Sequence, residues 1–180
     1  AVAADLTAGA FQFHFSRPLT ARQYLAGRVL SATGWSAALM GLAWLVFIGE
    51  RGAFGTAPST LVALYGAGLA GALLRLLTLA SVALGVSSLT RRRGLAQATF
   101  AAVVLGTFLA SAVLAKVLDA PWVSAVDVLG CAPALTAQLH GDHTLTGRGA
   151  WAPALACALW SVPFLALAAW RVSRAEVVRG

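Results

Sequence analysis

The chain has 180 residues, of which 59% are hydrophobic and only 11% charged, with a formal net charge of +7 and a mean hydropathy of +0.81. Soluble domains carry roughly 25% charged residues, so there is too little polar surface here to coat a water-soluble fold, and a disordered or nucleic-acid-binding chain is excluded more firmly still. The bilayer is the expected solvent, which turns the excess of arginine into a question about which loops hold it.

Residues 1–28 precede the first membrane-length segment. Ala1–Ala10 contains Asp5 and lacks a basic stretch followed by an apolar one, so it does not have the pattern of a signal peptide. Phe11, Phe13 and Phe15 alternate with Gln12 and His14, a local pattern of extended chain. Pro18 disfavours helix at Arg17. Thr20 is then the expected N-cap of a helix through Ala21, Arg22, Gln23 and Tyr24, giving a short elbow ahead of the first span.

A helix that crosses a hydrocarbon core about 30 Å thick needs about 20 apolar residues at 1.5 Å per residue. Val29–Ile48 meets this between Arg28 and the Glu50, Arg51 pair. The second span lies within Leu61–Thr90, set at 66–90, which is interrupted only by Arg75 and closed by Arg91, Arg92 and Arg93. Counted back from Thr90, about 20 residues start its core near Gly71. Arg75 is then expected about one turn below the outer surface, where its stem can snorkel. A role facing a cavity is the alternative, since an ionisable group inside a span is a functional hypothesis. On the same count Leu61–Ala70 is expected to project outward or to form a broken or re-entrant piece, with Gly66, Gly68 and Gly71 as its flexible point. Those glycines also spell G-A-G-L-A-G, but the dinucleotide fingerprint works only between a strand and a helix start, so it is rejected.

The third span is Gly94–Ala115. The outer loop 116–150 follows, with Pro121, Pro133 and Cys131, and with a His140, Asp142, His143 cluster that lacks the i, i+4 spacing of paired helical metal ligands and is expected to be an exposed polar loop. No metal site and no cofactor is expected. The fourth span, Trp151–Trp170, contains Pro163, for which a kink is expected, and Cys157, expected to be a buried free thiol; residues 171–180 form a basic tail. Small residues recur four apart at Gly34/Ala38, Ala67/Gly71, Ser81/Gly85 and Gly106/Ala110, a spacing that permits close helix contact.

The fold class expected is therefore an all-α integral membrane protein with four transmembrane helices. One face collects nine basic residues (Arg17, Arg22, Arg28, Arg91, Arg92, Arg93, Arg171, Arg174 and Arg179), whereas the other holds Arg51, Lys116 and Arg148 beside four of the six acids. The positive-inside rule then places both termini in the cytoplasm. Trp122 and Trp151 flank outer span ends, and Tyr24 and Trp170 inner ones, as interfacial anchors do. No nucleophile constellation is present: Gly34, Trp35 and Ser36 lack the rest of a G-x-S-x-G pattern, and Lys116, the single lysine, sits in no Walker motif. An enzyme is not expected.

The stretch Arg-Pro-Leu-Thr-x-Arg-x-Tyr-Leu-x-Gly-Arg from Arg17 to Arg28, preceded by an acidic residue and a Gly-containing turn, resembles the cytoplasmic loop before the third span of ATP-binding-cassette transporter permeases of the six-span, exporter-like (type-2) family. Ser87–Gly94 resembles that family's link between its fourth and fifth spans, and the last span running into Trp170, Arg171 and a basic tail resembles its ending. The resemblance implies a permease subunit of the inner (plasma) membrane that moves a substrate, in the export direction, on the power of a separate ATPase subunit. It implies pairing as a homodimer or heterodimer of permeases, a coupling segment made of Arg17, Pro18, Leu19, Thr20, Arg22 and Tyr24, and short re-entrant outer helices within Val117–Ala150. The family has two further spans upstream, so the chain is expected to be the C-terminal two-thirds of such a permease or a shortened form. A membrane scaffold or assembly factor without transport is the alternative function.

Overall fold

A computed structural model of the chain describes residues 20–55, 57–90, 92–139 and 151–177, and these are helices joined by short turns, with no strand among them. The order is α1 (Ala21–Ala53), α2 (Pro58–Leu89), α3 (Arg93–Val117), a 3-10 turn (Pro121–Ala125), α4 (Cys131–Leu139) and α5 (Trp151–Val177). Arg17, Pro18, Leu19, the three alternating phenylalanines and the His140, Asp142, His143 cluster lie outside the described residues.

Four of these helices are long and apolar enough to cross a membrane. At 1.5 Å per residue, α1, α2, α3 and α5 are about 50, 48, 38 and 40 Å long, against a hydrocarbon core of about 30 Å. Their outward faces are apolar: Trp35 is 79% and Phe54 87% exposed, and Leu30, Leu42, Leu105 and Leu109 are exposed with them. A continuous apolar surface of this kind would aggregate in water.

Each helix outruns its apolar stretch. Thr20 caps α1: its side chain accepts the Gln23 N–H (3.3 Å) while its own N–H donates to Gln23 Oε1 (2.9 Å), a reciprocal capping box. The helix then passes Arg28 without a break and continues beyond Ile48 to Ala53, where Gly55 at φ 83° turns the chain toward α2. At the other end of the chain, α5 runs through Pro163 and past Arg171 to Val177.

Of the two alternatives for Leu61–Ala70, an outward projection or a break, the break does not occur. α2 is continuous from Pro58, whose missing N–H is harmless in a first turn. Its glycines are places of close approach: a Cβ on Gly68 would lie 2.5 Å from the Trp44 ring of α1, and one on Gly71 would collide with Thr136 of α4. Glycine in a helix interior costs about 1 kcal/mol relative to alanine, and here that loss is offset by packing that no Cβ would permit. The four small-residue pairs divide accordingly. Gly71 and Gly85 meet α4 and α5, whereas Gly34 and Gly106 have nothing within 4 Å of a Cβ.

α2 is the centre of the bundle, flanked mainly by α5 and α1 and touched also by α3 and α4. Its buried polar groups are spent locally. The hydroxyls of Thr78, Ser81, Ser87 and Ser88 all donate to carbonyls three or four residues back, so their protons are satisfied within the helix.

Candidate functional site

The chain does not stay at the far end of the bundle after α3. It turns at Asp119, a non-glycine residue with φ 48°, and Pro121 starts a single 3-10 turn. Trp160 of α5 donates its indole N–H to the Val126 carbonyl (2.8 Å), and Val128 is fully buried in one cluster with Val82 and Val86 of α2. Between these anchors sits Asp127, only 4% exposed. Its Oδ1 accepts the N–H groups of Leu129 (2.6 Å) and Gly130 (2.7 Å), its Oδ2 accepts the Ser111 hydroxyl of α3 (2.7 Å), and its carbonyl accepts the Cys131 N–H (3.0 Å). Asp127 therefore holds the turn that leads into α4 and ties it to α3. Gly130 must be glycine, because a Cβ there would fall on the Ser124 carbonyl.

Beside this turn is a cavity of about 320 Å³, whose wall combines Arg75 of α2, Phe108, Ser111 and Ala112 of α3, and Ser124 and Asp127 of the intervening segment. Arg75 is 14 residues from Leu89, hence about 21 Å along the axis from that end of α2. Ser111 and Phe108 are 6 and 9 residues from Val117, so they lie about 9 and 14 Å below the end of α3. Arg75 thus borders a partly polar cavity beside α3. Arg75 is exposed and makes no hydrogen bond or ion pair with any described residue.

The sequence pattern carried a signal for Asp127 that hydropathy alone passes over. Ala120–Leu139 is a run of 20 residues with Asp127 as its single charge. Counted as loop, that residue is unremarkable; counted as a membrane-inserted segment, it stands out by the same rule that singled out Arg75.

At the opposite, basic end of the bundle, Tyr24 is buried against Leu84 of α2 and Ala168 and Val172 of α5. This corrects its assignment as an interfacial anchor: only its hydroxyl side is polar, accepting from Arg28 Nε at 3.4 Å. Trp170, Trp122 and Trp151 are exposed, and Arg174 stacks over the Trp170 ring at 4.2 Å. Arg22 lies in the first turn of α1.

Cys131 of α4 and Cys157 of α5 are both buried in one cluster with Ala132 and Ala156. Among the described residues no group of three His, Cys, Asp or Glu is placed to hold a metal ion. They are the chain's two cysteines, so treatment of the solubilised protein with diamide should join them, each thiol giving up its hydrogen to the diazene as the S–S bond forms. Labelling by a maleimide-polymer under denaturing conditions should then drop from two sites to none, with the chain still monomeric on a denaturing gel. Two labels, or disulfide-linked dimers, would contradict the packing of α4 on α5. Comparison with known protein families, curated proteins and solved structures finds no match for this chain.

Proposed function

We propose that the chain is the membrane-spanning permease subunit of an ATP-binding-cassette transporter, moving a substrate outward on the power of a separate ATPase subunit. The resemblance of Arg17–Arg28 to the family's coupling loop supports this reading, and the observation that carries it is mechanical. The capping box at Thr20 fixes the start of α1, and α1 then runs unbroken for 33 residues to Ala53. A displacement at its first turn is therefore passed along the helix rather than absorbed at a hinge. Tyr24, wedged against Leu84, Ala168 and Val172, couples that same turn to α2 and α5.

On this reading both termini are cytoplasmic, the arginines at the basic end face the ATPase, and Leu118–Leu139 is a re-entrant outer segment whose tip is Asp127 and Val128. Closure of the ATPases on ATP pushes the elbows of a permease dimer, tilts α1 and alternates the side to which the dimer opens. Hydrolysis belongs to the partner, because this chain supplies no nucleotide motif.

The test is recovery of an ATPase with the affinity-tagged chain, identified by mass spectrometry and by ATP hydrolysis that the chain stimulates. Arg17→Glu with Arg22→Glu should lower both recovery and stimulated hydrolysis at least tenfold, about 1.4 kcal/mol of lost association. Purified chain free of ATPase, or an unchanged association in the double variant, would reject the coupling role and favour a scaffold.

A further inference from the structure

We propose that the cavity between α2, α3 and the segment leading into α4 binds the anionic head of an acyl-chain amphiphile that enters sideways from the lipid, with the Arg75 guanidinium as its ligand. The inference rests on the bundle lying in a bilayer and not on coupling to an ATPase.

Charge selects the head. Two ionisable groups border the cavity, and they are not equivalent. The Asp127 carboxyl is buried and its two oxygens are engaged by two backbone N–H groups and the Ser111 hydroxyl, so it is already taken up by its own loop. Arg75 has no such partner among the described residues. A guanidinium carries five N–H donors and is never deprotonated; within a membrane span it requires an acceptor or water. The shape that satisfies its fork is a phosphate or carboxylate.

Position selects the tail. Arg75 is exposed on the surface of α2, and across the cavity Phe108 and Ala112 are exposed on α3. The mouth therefore opens on a face covered by acyl chains, about 9–14 Å below the end of α3. A free anion would have to cross hydrocarbon to reach it, whereas the head of an amphiphile is delivered there by its own chains. At about 320 Å³ the cavity is at the small end of ligand sites, which run from about 300 to 1,000 Å³. It holds a compact head, and the chains lie outside along exposed Leu105 and Leu109. Ser124, on the 3-10 turn, offers a second polar group at the wall.

The experiment uses the full chain in a neutral detergent and measures binding of dioleoyl phosphatidate by native mass spectrometry, with dioleoyl phosphatidylcholine and inorganic phosphate as separate arms. Phosphatidate should bind, and Arg75→Gln should weaken it at least tenfold while Arg75→Lys retains most of it. Ala112→Trp, which blocks the mouth from an exposed position and leaves Arg75 intact, should produce the same loss. Both variants alter surface residues and should elute and melt as the parent does. Equal binding of phosphatidylcholine would overturn the charge argument. Displacement of phosphatidate by millimolar inorganic phosphate would assign the site to a free anion, and unchanged binding in both Arg75→Gln and Ala112→Trp would place the lipid elsewhere; either result overturns the proposal.

Discussion

Asp127→Ala should lower the thermal midpoint of the solubilised protein by about 10 °C. The alanine removes the acceptor for the Leu129 and Gly130 N–H groups and one of the two acceptors within reach of the single Ser111 hydroxyl proton. Each buried donor left without a partner costs about 1–3 kcal/mol. Ser111 loses less than the amides, because its hydroxyl already has the Phe108 carbonyl at 2.9 Å. The sum is about 3–4 kcal/mol, which at about 2–4 °C per kcal/mol for a chain of this size gives the stated shift. Asp127→Asn keeps one oxygen for the two amides and should lose less than half as much. Because Asp127 holds the turn that leads into α4, the damage should begin there: oxidative joining of Cys131 to Cys157 should slow or fail in the alanine variant before the other helices melt. A midpoint within about 2 °C of the parent would show that the three bonds do not hold this segment in place.

How much of this was legible beforehand depends on which physical rule each feature obeys. The four spans follow from length and charge alone, and α1, α2, α3 and α5 contain them. Their ends do not, because a charge marks where the bilayer stops and not where hydrogen bonding stops: Arg28 and Arg171 lie inside continuous helices. The Thr20 cap was readable, since a cap is a local arrangement of four residues. For Leu61–Ala70 the expectation is an outward projection or a break, and only the break is ruled out, for the converse reason. Three glycines signal flexibility when seen alone, but Gly68 and Gly71 face Trp44 and Thr136, residues 24 and 65 positions away, and no local pattern announces such partners. The cavity is harder still. Arg75 stood out at once, yet its setting is built from α3 and from a segment counted as loop, so the residue was visible in the sequence and its surroundings were not.

The same distinction between glycines gives the second large effect, at the most extensive helix contact in the bundle, between α2 and α5. A Cβ on Gly85 would lie 2.5 Å from Phe164 Cδ1, 2.7 Å from its Cβ and 2.8 Å from its carbonyl oxygen. A ring can swing aside, but a backbone carbonyl cannot. Phe164 is also restrained, since it stacks on Trp160 at 6.2 Å and packs in the cluster of Val82, Val86 and Val128. Gly85→Ala must therefore push α2 and α5 apart, and forced overpacking of this kind costs typically about 1–3 kcal/mol. Helix propensity acts in the opposite direction by about 1 kcal/mol. The clash wins because separating the two helices also loosens Tyr24, which is held between Leu84, Ala168 and Val172 at the same contact. The expected result is a fall in thermal midpoint of about 5 °C, and a larger one for Gly85→Leu. Gly66→Ala and Gly106→Ala supply the control, because nothing lies within 4 Å of a Cβ at either position; both should leave the midpoint unchanged or raise it slightly. If Gly85→Ala behaved like these two, the α2–α5 contact would not be as close as the geometry requires. Tyr24 would then lose the wedge through which a movement of α1 reaches the rest of the bundle.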